Sequence, residues 1–184
     1  KMGNELALCA KRRGANVKVV CGKVCSDYKN FGIEYIDVKT NEEMFNSLKE
    51  NFEETDILIM PAAPVDFKVK NKKDFKIKKT LNYENIELED NIDILKTIAK
   101  NKKSQYVVGF AAETNSVKDY AISKLENKNL DMIVANDVSV KDRGFGSDFN
   151  KVSIITKDSE VETEVLTKRE IADKILDAVL EKIC

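Results

Sequence analysis

The side chains in this sequence best suited to chemistry are lysines. Seven of the residues from 68 to 79 are lysine, and Asp74 is the one acid among them. Mobile ammonium groups at this density suit a ligand with several negative charges, such as a chain of phosphates. A solvated basic loop would have the same composition, so the lysines alone leave both interpretations open. Two alanines stand just before this run, between the only prolines, Pro61 and Pro64, and their small side chains would let a ligand approach the backbone.

The composition excludes several kinds of active site. There is no histidine, which rules out a Ser-His-Asp triad, a Cys-His pair and any metal site with a histidine ligand. Cys21 and Cys25 have no second pair to complete a zinc site, and we interpret the four cysteines as reduced thiols of a cytoplasmic protein. A net charge of −1 argues against a nucleic-acid partner, and the apolar runs are too short for a membrane span.

The elements that must position the lysines alternate along the chain. Apolar runs typical of strands are separated by segments with helical periodicity, which predicts an α/β, doubly wound, Rossmann-like and mainly parallel sheet with an antiparallel edge. The run at 57–60 is typical of a strand buried on both faces. Strands are predicted at 17–22, 33–38, 57–60, 86–88, 106–110, 131–135, 151–156 and 160–166, and helices at 4–13, after 40, after 91, after 116 and from 167 to 183.

We predict a single domain over residues 1–184. The chain opens with a helix followed by a strand, whereas this kind of fold normally starts with a strand. The domain is therefore expected to be N-terminally truncated, with its first strand upstream of Lys1. In a parallel sheet, ligands bind outside the carboxyl ends of the strands, and the unusual residues of this sequence gather at those predicted ends.

Five short motifs in chain order give the sequence a resemblance to a known family, the phosphopantothenate–cysteine ligases. This family is the synthetase domain of a bacterial bifunctional protein whose other half is a flavin-dependent decarboxylase. Lys1-Met2-Gly3 is similar to the end of the family's Ser-Ser-Gly-Lys-Met-Gly loop. The motifs are Ala-Ala-Pro-Val-Asp-Phe at 62–67, Lys-Ile-Lys-Lys at 76–79, Gly-Phe-Ala-Ala-Glu-Thr at 109–114, Ala-Asn-Asp-Val-Ser at 135–139 and Phe-Gly-Ser-Asp at 145–148.

The resemblance implies a two-step ligase of coenzyme A biosynthesis. The carboxylate of 4′-phosphopantothenate would attack the α-phosphate of CTP and release pyrophosphate. The amino group of L-cysteine would then attack the acyl-cytidylate, giving phosphopantothenoylcysteine and CMP. Mg²⁺ is expected because nucleotidyl transfer normally needs a cation on the phosphates, although the sequence identifies no ligands for it. The resemblance also implies a homodimer, with the lysine-rich segment extending across the interface.

The resemblance assigns roles to individual residues. Lys76, in the Lys-Ile-Lys-Lys motif, is expected to contact the triphosphate and to act as the catalytic residue. Lys124 and Lys128 lie one helical turn apart, so that both can face one anion. The nucleotide-binding residues that the resemblance implies are Met60, Pro61, Ala62, Asp66, Lys76, Ile92, Asp93, Ile94, Leu95, Phe110, Lys124 and Lys128.

Two departures from the family pattern affect these expectations. The chain reads Asn-Ile-Asp-Ile at 91–94 where the family has Asn-Pro-Asp-Ile. The family's Asn-x-Ser-Ser-Gly segment, whose asparagine handles the acyl-cytidylate, would lie upstream of Lys1. The isolated chain is therefore expected to bind nucleotide but to turn over poorly unless the upstream residues are added.

Three alternative functions fit parts of the pattern. An NAD(P)-dependent oxidoreductase would have a similar sheet but needs a G-x-G-x-x-G turn, and Gly144 and Gly146 lack the third glycine. A nucleic-acid-binding module could use the lysine run, but few aromatic residues are interleaved with it. A non-catalytic nucleotide-binding domain would share the binding residues without the chemistry.

Overall fold

The computed structural model describes residues 1–22, 31–76, 85–113, 117–137 and 147–183. Helices and strands alternate through most of the chain, as the sequence predicts. The helices are α1 (Met2–Arg12), α2 (Asn41–Asn51), α3 (Ile94–Ala99), α4 (Val117–Asn127) and α5 (Lys168–Ile183). The strands are β1 (Lys18–Cys21), β2 (Glu34–Asp37), β3 (Ile57–Met60), β4 (Phe67–Val69), β5 (Leu88–Asp90), β6 (Tyr106–Glu113), β7 (Met132–Asp137), β8 (Phe149–Asn150), β9 (Val152–Thr156), β10 (Glu160–Glu162) and β11 (Leu166–Thr167).

A five-stranded sheet in the order β10-β9-β7-β6-β3 forms the centre of the domain. Strands β3, β6 and β7 are parallel, whereas β9 and β10 are antiparallel to their neighbours. The predicted fold class, a mainly parallel sheet with an antiparallel edge, is confirmed. Strand β6 is three residues longer than predicted, because its pairing with β7 continues to Glu113 opposite Asp137.

Helices cover both faces of the central sheet. On one face, α2, α3 and α4 pack over alternate residues of β6 and β7, including Val107, Ala111 and Ile133. On the other face, α1 and α5 pack over the intervening residues, including Val108 and Val134. We call these the α3/α4 face and the α1/α5 face.

Strands β1 and β2 do not join the central sheet among the described residues. They pair in parallel with each other, and α1 packs against both sheets through different residues. Strand β3 is therefore an edge strand. The prediction that residues 57–60 are buried on both faces is wrong, because only Met60 of β3 is fully buried and Ile57, Leu58 and Ile59 are partly exposed.

Two short antiparallel ribbons were not predicted from the sequence. Strand β4 pairs with β5, so part of the lysine-rich segment is a strand rather than a loop. The predicted strand at 86–88 is shifted to Leu88–Asp90 by this pairing. Strands β8 and β11 form the second ribbon, immediately before β9 and α5.

The sequence has capping-box patterns at 40–43 and 167–170, and the structure forms the second completely and the first in part. The hydroxyl of Thr40 accepts a hydrogen bond from the backbone N–H of Glu43, at 3.1 Å, but the Glu43 carboxylate accepts from the N–H of Lys39 instead of that of Thr40. At the start of α5, the Thr167 hydroxyl accepts from the N–H of Glu170, and the Glu170 carboxylate accepts from the N–H of Thr167. The predicted helix start at 116 and glycine loop at 143–148 fall largely outside the described residues, as do Cys25 and Cys184.

None of the described helices is long and apolar enough to cross a membrane. Cys9 and Cys21, the two cysteines within the described ranges, are both buried free thiols. This agrees with the interpretation of these two residues as reduced.

Candidate functional site

The carboxyl end of β3 meets the first turn of α1. Met60 ends the strand and is buried, Pro61 is half-buried, and Ala62 is exposed. A Cβ atom added at Gly3 would lie 3.2 Å from Cγ of Pro61, so the helix approaches the strand end closely because Gly3 has no side chain. The structure thus places the predicted residues 60–62 beside the beginning of α1.

Asn91 anchors the segment that carries Asp66. The Asp66 carbonyl accepts a hydrogen bond of 2.7 Å from the backbone N–H of Asn91. The side-chain amides of Asn91 and Asn41 both donate to the carbonyl of Val65, at 3.1 Å each. The Asp66 side chain is exposed and available to a ligand. The asparagines that hold this segment were not assigned a role from the sequence, which gives no signal of a contact 24 or 26 residues away.

The first turn of α3 is fixed by Asn91 and Asp93. The Asn91 side-chain oxygen accepts a hydrogen bond of 3.0 Å from the backbone N–H of Ile92, a bond that proline at position 92 could not donate. The Asp93 carboxylate accepts a bond of 3.0 Å from the N–H of Lys96 and caps the helix. The departure from the family's Asn-Pro-Asp-Ile is therefore compensated locally, and the turn is present.

Asp93 also pairs with Lys128, which immediately follows α4. Their Oδ2 and Nζ atoms are 2.9 Å apart. Partial burial would raise the pKa of Asp93, but the hydrogen bonds from Lys128 and from the N–H of Lys96 outweigh burial and lower the pKa. The two residues, 35 positions apart in sequence, form one charged group on the α3/α4 face that an anion could enter by displacing the carboxylate.

Ile94 and Leu95 lie in the core. Their exposed fractions are 1% and 8%, so they can offer a ligand only backbone groups. Ile92 is partly buried and packs against the same cluster as Met60. The predicted contact of these residues with nucleotide is therefore restricted to the backbone around the start of α3.

Lys124 lies on α4, Lys128 immediately follows the last residue of the helix, and both are partly exposed. Lys128 makes the ion pair with Asp93 described above. The structure places both lysines on the α3/α4 side of the sheet, with Leu125 between them turned into the core.

Phe110 points to the opposite face. Its side chain is partly buried and packs against the core cluster on the α1/α5 face. Gly109 precedes it, and a Cβ atom there would lie 2.6 Å from Cδ1 of Leu130 and 3.0 Å from Cδ2 of Leu95. The glycine of the Gly-Phe-Ala-Ala-Glu-Thr motif thus makes room for the leucine at the start of α3, and the phenylalanine faces away from Asp93.

Lys76 is exposed in the segment after β4. Within the described residues, the structure shows no hydrogen bond or ion pair that joins Lys76 to the group around Asp93. The rest of the Lys-Ile-Lys-Lys motif, residues 77–79, lies outside the described ranges. The predicted catalytic role of Lys76 therefore stays a prediction.

Asn136 was not assigned a role from the sequence, although it belongs to one of the five motifs. It lies near the carboxyl end of β7, and its side-chain oxygen is buried with no hydrogen-bond partner among the described residues. A buried acceptor without a donor is costly, and a ligand N–H would satisfy it.

No three cysteine, aspartate or glutamate side chains come together to hold a metal ion in the parts of the chain that the structure describes. The expected Mg²⁺ therefore has no set of protein ligands here.

A mainly parallel α/β sheet, with small residues and lysines near the carboxyl ends of its strands, defines a Rossmann-like ligand-binding domain. The chain belongs to the family described as the DNA/pantothenate metabolism flavoprotein C-terminal domain, whose model matches residues 1–183.

Three known proteins illustrate this relationship. The chain is 39% identical over 180 residues to the coenzyme A biosynthesis bifunctional protein CoaBC of Bacillus subtilis, covering 97% of the chain and 44% of that protein. It is similar to the crystal structure of a CoaBC C-terminal domain, with a TM-score of 0.80 and 33% identity over 97% of the chain and 80% of that structure. A mutant of Cab2 in complex with phosphopantothenate-cysteine shares the fold, with a TM-score of 0.68 and 12% identity over 97% of the chain and 77% of that structure.

Proposed function

We propose that this domain catalyses the CTP-dependent ligation of 4′-phosphopantothenate with L-cysteine in coenzyme A biosynthesis. The observation that carries the proposal is the match of nearly the whole chain to a coenzyme A biosynthesis protein and to the C-terminal domain of such a protein. The chain spans less than half the length of that relative, so the other half, expected to be a flavin-dependent decarboxylase, is a proposed fused partner.

The proposed nucleotide site lies on the α3/α4 face. The start of α3 offers backbone groups at residues 92–95, and Asp66 stands nearby because its carbonyl is bonded to Asn91. Lys128 is paired with Asp93, so a phosphate would replace or share this carboxylate as the partner of the ammonium group. The Lys128 side chain is already ordered by the ion pair, which lowers the entropy cost of holding it against a ligand.

The proposed reaction requires charge stabilisation more than acid–base chemistry. The acid's carboxylate attacks the α-phosphorus of CTP, and the bond to pyrophosphate breaks. The cysteine amine, having lost a proton, attacks the acyl carbon, and CMP leaves with the electrons of the broken acyl–phosphate bond. Lysines placed against the phosphates stabilise the negative charge that develops in both steps. Lys76 is the proposed catalytic member, and Mg²⁺, when present, would be held by the oxygens of the triphosphate.

We further propose that the domain is a homodimer and that the β4–β5 ribbon is part of its interface. One face of the ribbon carries Phe67, Val69 and Leu88, which are 57%, 47% and 59% exposed. The other face is closed by ion pairs between Lys68 and Glu89. A two-stranded ribbon is marginally stable alone, and a second copy of the chain would cover its apolar side. Sedimentation that shows a monomer at micromolar concentration would contradict this arrangement.

Calorimetric titration tests the nucleotide assignment. We expect CTP to bind more tightly than ATP, and Lys76→Ala to weaken CTP binding by about tenfold, the loss typical of one charge-assisted hydrogen bond. Lys157→Ala is the matched control, because Lys157 is an exposed lysine in the turn between β9 and β10. Ligation is measured as CMP release that depends on both the acid and cysteine, in the polypeptide that carries this domain. Binding of NAD in place of CTP would overturn the proposal in favour of an oxidoreductase.

A further inference from the structure

Two asparagine side chains from different parts of the fold donate to one backbone carbonyl. Asn41 is the first residue of α2, and Asn91 lies between β5 and α3. The Nδ2 atom of each is 3.1 Å from the carbonyl oxygen of Val65. Val65 belongs to an exposed segment, where water can satisfy a backbone carbonyl, so this oxygen does not need two side chains merely to be satisfied.

These hydrogen bonds restrict the backbone on both sides of Asp66. The Val65 carbonyl belongs to the peptide group before the Asp66 Cα atom. The Asp66 carbonyl belongs to the peptide group after it and accepts a hydrogen bond of 2.7 Å from the backbone N–H of Asn91. Each peptide group is planar, so holding both groups restricts φ and ψ of Asp66. The direction in which the Asp66 side chain leaves the backbone is thereby set before any ligand binds.

The Asp66 carboxylate, in contrast, has no partner of its own. Within the described ranges it makes neither a hydrogen bond nor an ion pair, although the next charged residues of the ribbon, Lys68 and Lys70, are both paired with glutamates. A carboxylate that served only as a turn or cap would bond to a nearby backbone N–H. A held backbone together with an exposed, unpaired side chain is the arrangement expected of a group that contacts a ligand.

Asn91 also connects Asp66 with the start of α3. Its Nδ2 atom donates to the Val65 carbonyl, and its Oδ1 atom accepts a hydrogen bond of 3.0 Å from the N–H of Ile92. A carbonyl partner on one side and an N–H partner on the other fix the orientation of the amide group, because the reverse orientation would lose both bonds. One side chain therefore joins two parts of the proposed nucleotide site, Asp66 and the backbone groups at 92–95.

We infer that Asn41 and Asn91 are positioning residues of the nucleotide site, which set the direction of the Asp66 carboxylate. The inference rests on the proposed function, which places Asp66 in that site. An ionised carboxylate accepts hydrogen bonds and repels phosphates, so Asp66 suits the nucleoside end of CTP, where the ribose hydroxyls and the base amino group are donors. Holding the backbone of Asp66 in advance lowers the entropy cost of forming those bonds.

A double-mutant cycle tests this role by calorimetric titration with CTP, on the polypeptide that carries this domain. Asp66→Ala and Asn91→Ala should each weaken binding by about tenfold, and Asn41→Ala by about threefold, because one donor to the Val65 carbonyl remains. In the Asp66→Ala background, Asn41→Ala should cause no further loss, and the effect of Asn91→Ala should shrink to about threefold or less. Asn41→Ala carries the smaller risk to the fold, since alanine favours a helix and the bond between Asn91 and Ile92 is retained.

Two controls separate positioning from a general effect on the fold. Asn46→Ala changes an exposed asparagine of the same helix as Asn41, one that makes no hydrogen bond in the described parts of the chain, and should leave CTP affinity unchanged. Urea unfolding should show Asn41→Ala to be about as stable as Asn46→Ala.

A loss of CTP affinity that Asn41→Ala still causes in the Asp66→Ala background overturns the inference, as does unchanged affinity in both Asn41→Ala and Asn91→Ala. If Asp66→Ala binds CTP as tightly as the wild type, the inference fails while the proposed function stands. If the wild type neither binds CTP nor forms the ligated product, the proposed function fails and the inference fails with it.

Discussion

Gly109 offers a direct test of how the central sheet positions α3. A Cβ atom at this position would lie 2.6 Å from Cδ1 of Leu130 and 3.0 Å from Cδ2 of Leu95. Carbon atoms in favourable contact are about 3.5–4.0 Å apart, so Leu130 would have to move by about 1 Å. Leu130 and Leu95 are 2% and 8% exposed, and neither has free space into which it can rotate without disturbing its neighbours.

We therefore expect Gly109→Ala to lower the free energy of unfolding. Overpacking of a buried site costs about 1–3 kcal/mol. The lower entropy of the unfolded chain with alanine returns about 0.4–1 kcal/mol of this. The expected net loss is about 1–2 kcal/mol, measured by urea unfolding followed by circular dichroism. Since Leu95 belongs to the first turn of α3, CTP affinity should fall as well.

A double-mutant cycle shows whether the contact with Leu130 is the cause. Leu130→Ala alone should cost about 2–5 kcal/mol, because it leaves a cavity. In the double variant the new methyl group occupies part of that cavity, so the combined loss should be smaller than the sum by about 1 kcal/mol or more. Gly22→Ala is the matched control, since a Cβ atom there would meet nothing closer than the carbonyl of Val38, at 3.9 Å. Additive losses, or a Gly109→Ala variant as stable as Gly22→Ala, would refute the steric explanation.

Three further predictions concern single side chains. Lys128 and the N–H of Lys96 lower the pKa of Asp93 in the folded state. The ionised Asp93 carboxylate therefore stabilises the fold above its unfolded-state pKa, and this stabilisation is lost as pH falls through its folded-state pKa. Asp93→Asn should remove this part of the acid dependence of the free energy of unfolding and leave Lys128 without its ion pair to residue 93. Thr40→Ala should lower the free energy of unfolding by about 1 kcal/mol, measured in urea, because it removes the side-chain acceptor for the Glu43 N–H. Thr40→Ser retains a hydroxyl acceptor and should keep most of the wild-type stability. Burial raises the pKa of Tyr106 to about 12, so the phenol signal that titrates near pH 12 in the wild type should be absent in Tyr106→Phe, measured by spectrophotometric titration.

The features that the sequence predicted well are those set by neighbouring residues. Thr40 and Thr167 cap their helices through partners three residues away, so the pattern contains the whole interaction. The bounds of β3 were predicted correctly because the apolar run ends at Pro61, which has no N–H for pairing. Side-chain alternation along β6 likewise follows from local geometry once the strand is recognised.

The features that the sequence did not predict depend on distant partners. Among the described residues, β3 lies at the edge of the sheet because it does not pair with β1, and no property of residues 57–60 encodes this. Strand β4 forms in a segment whose lysines are typical of a loop. It forms because β5 supplies hydrogen bonds, and because Glu89 in β5 and Glu87 just before it pair with Lys68 and Lys70. Such pairings join residues about 20 positions apart and are specified by the fold as a whole.

The candidate site illustrates the same division between local and distant determinants. The resemblance supplied Asp93 and Lys128 as separate nucleotide contacts, whereas the structure shows them as one ion pair. Neither the sequence pattern nor the resemblance relates these two side chains, because 35 positions separate them. The ion pair forms only because the start of α3 and the end of α4 pack on the same face of the central sheet.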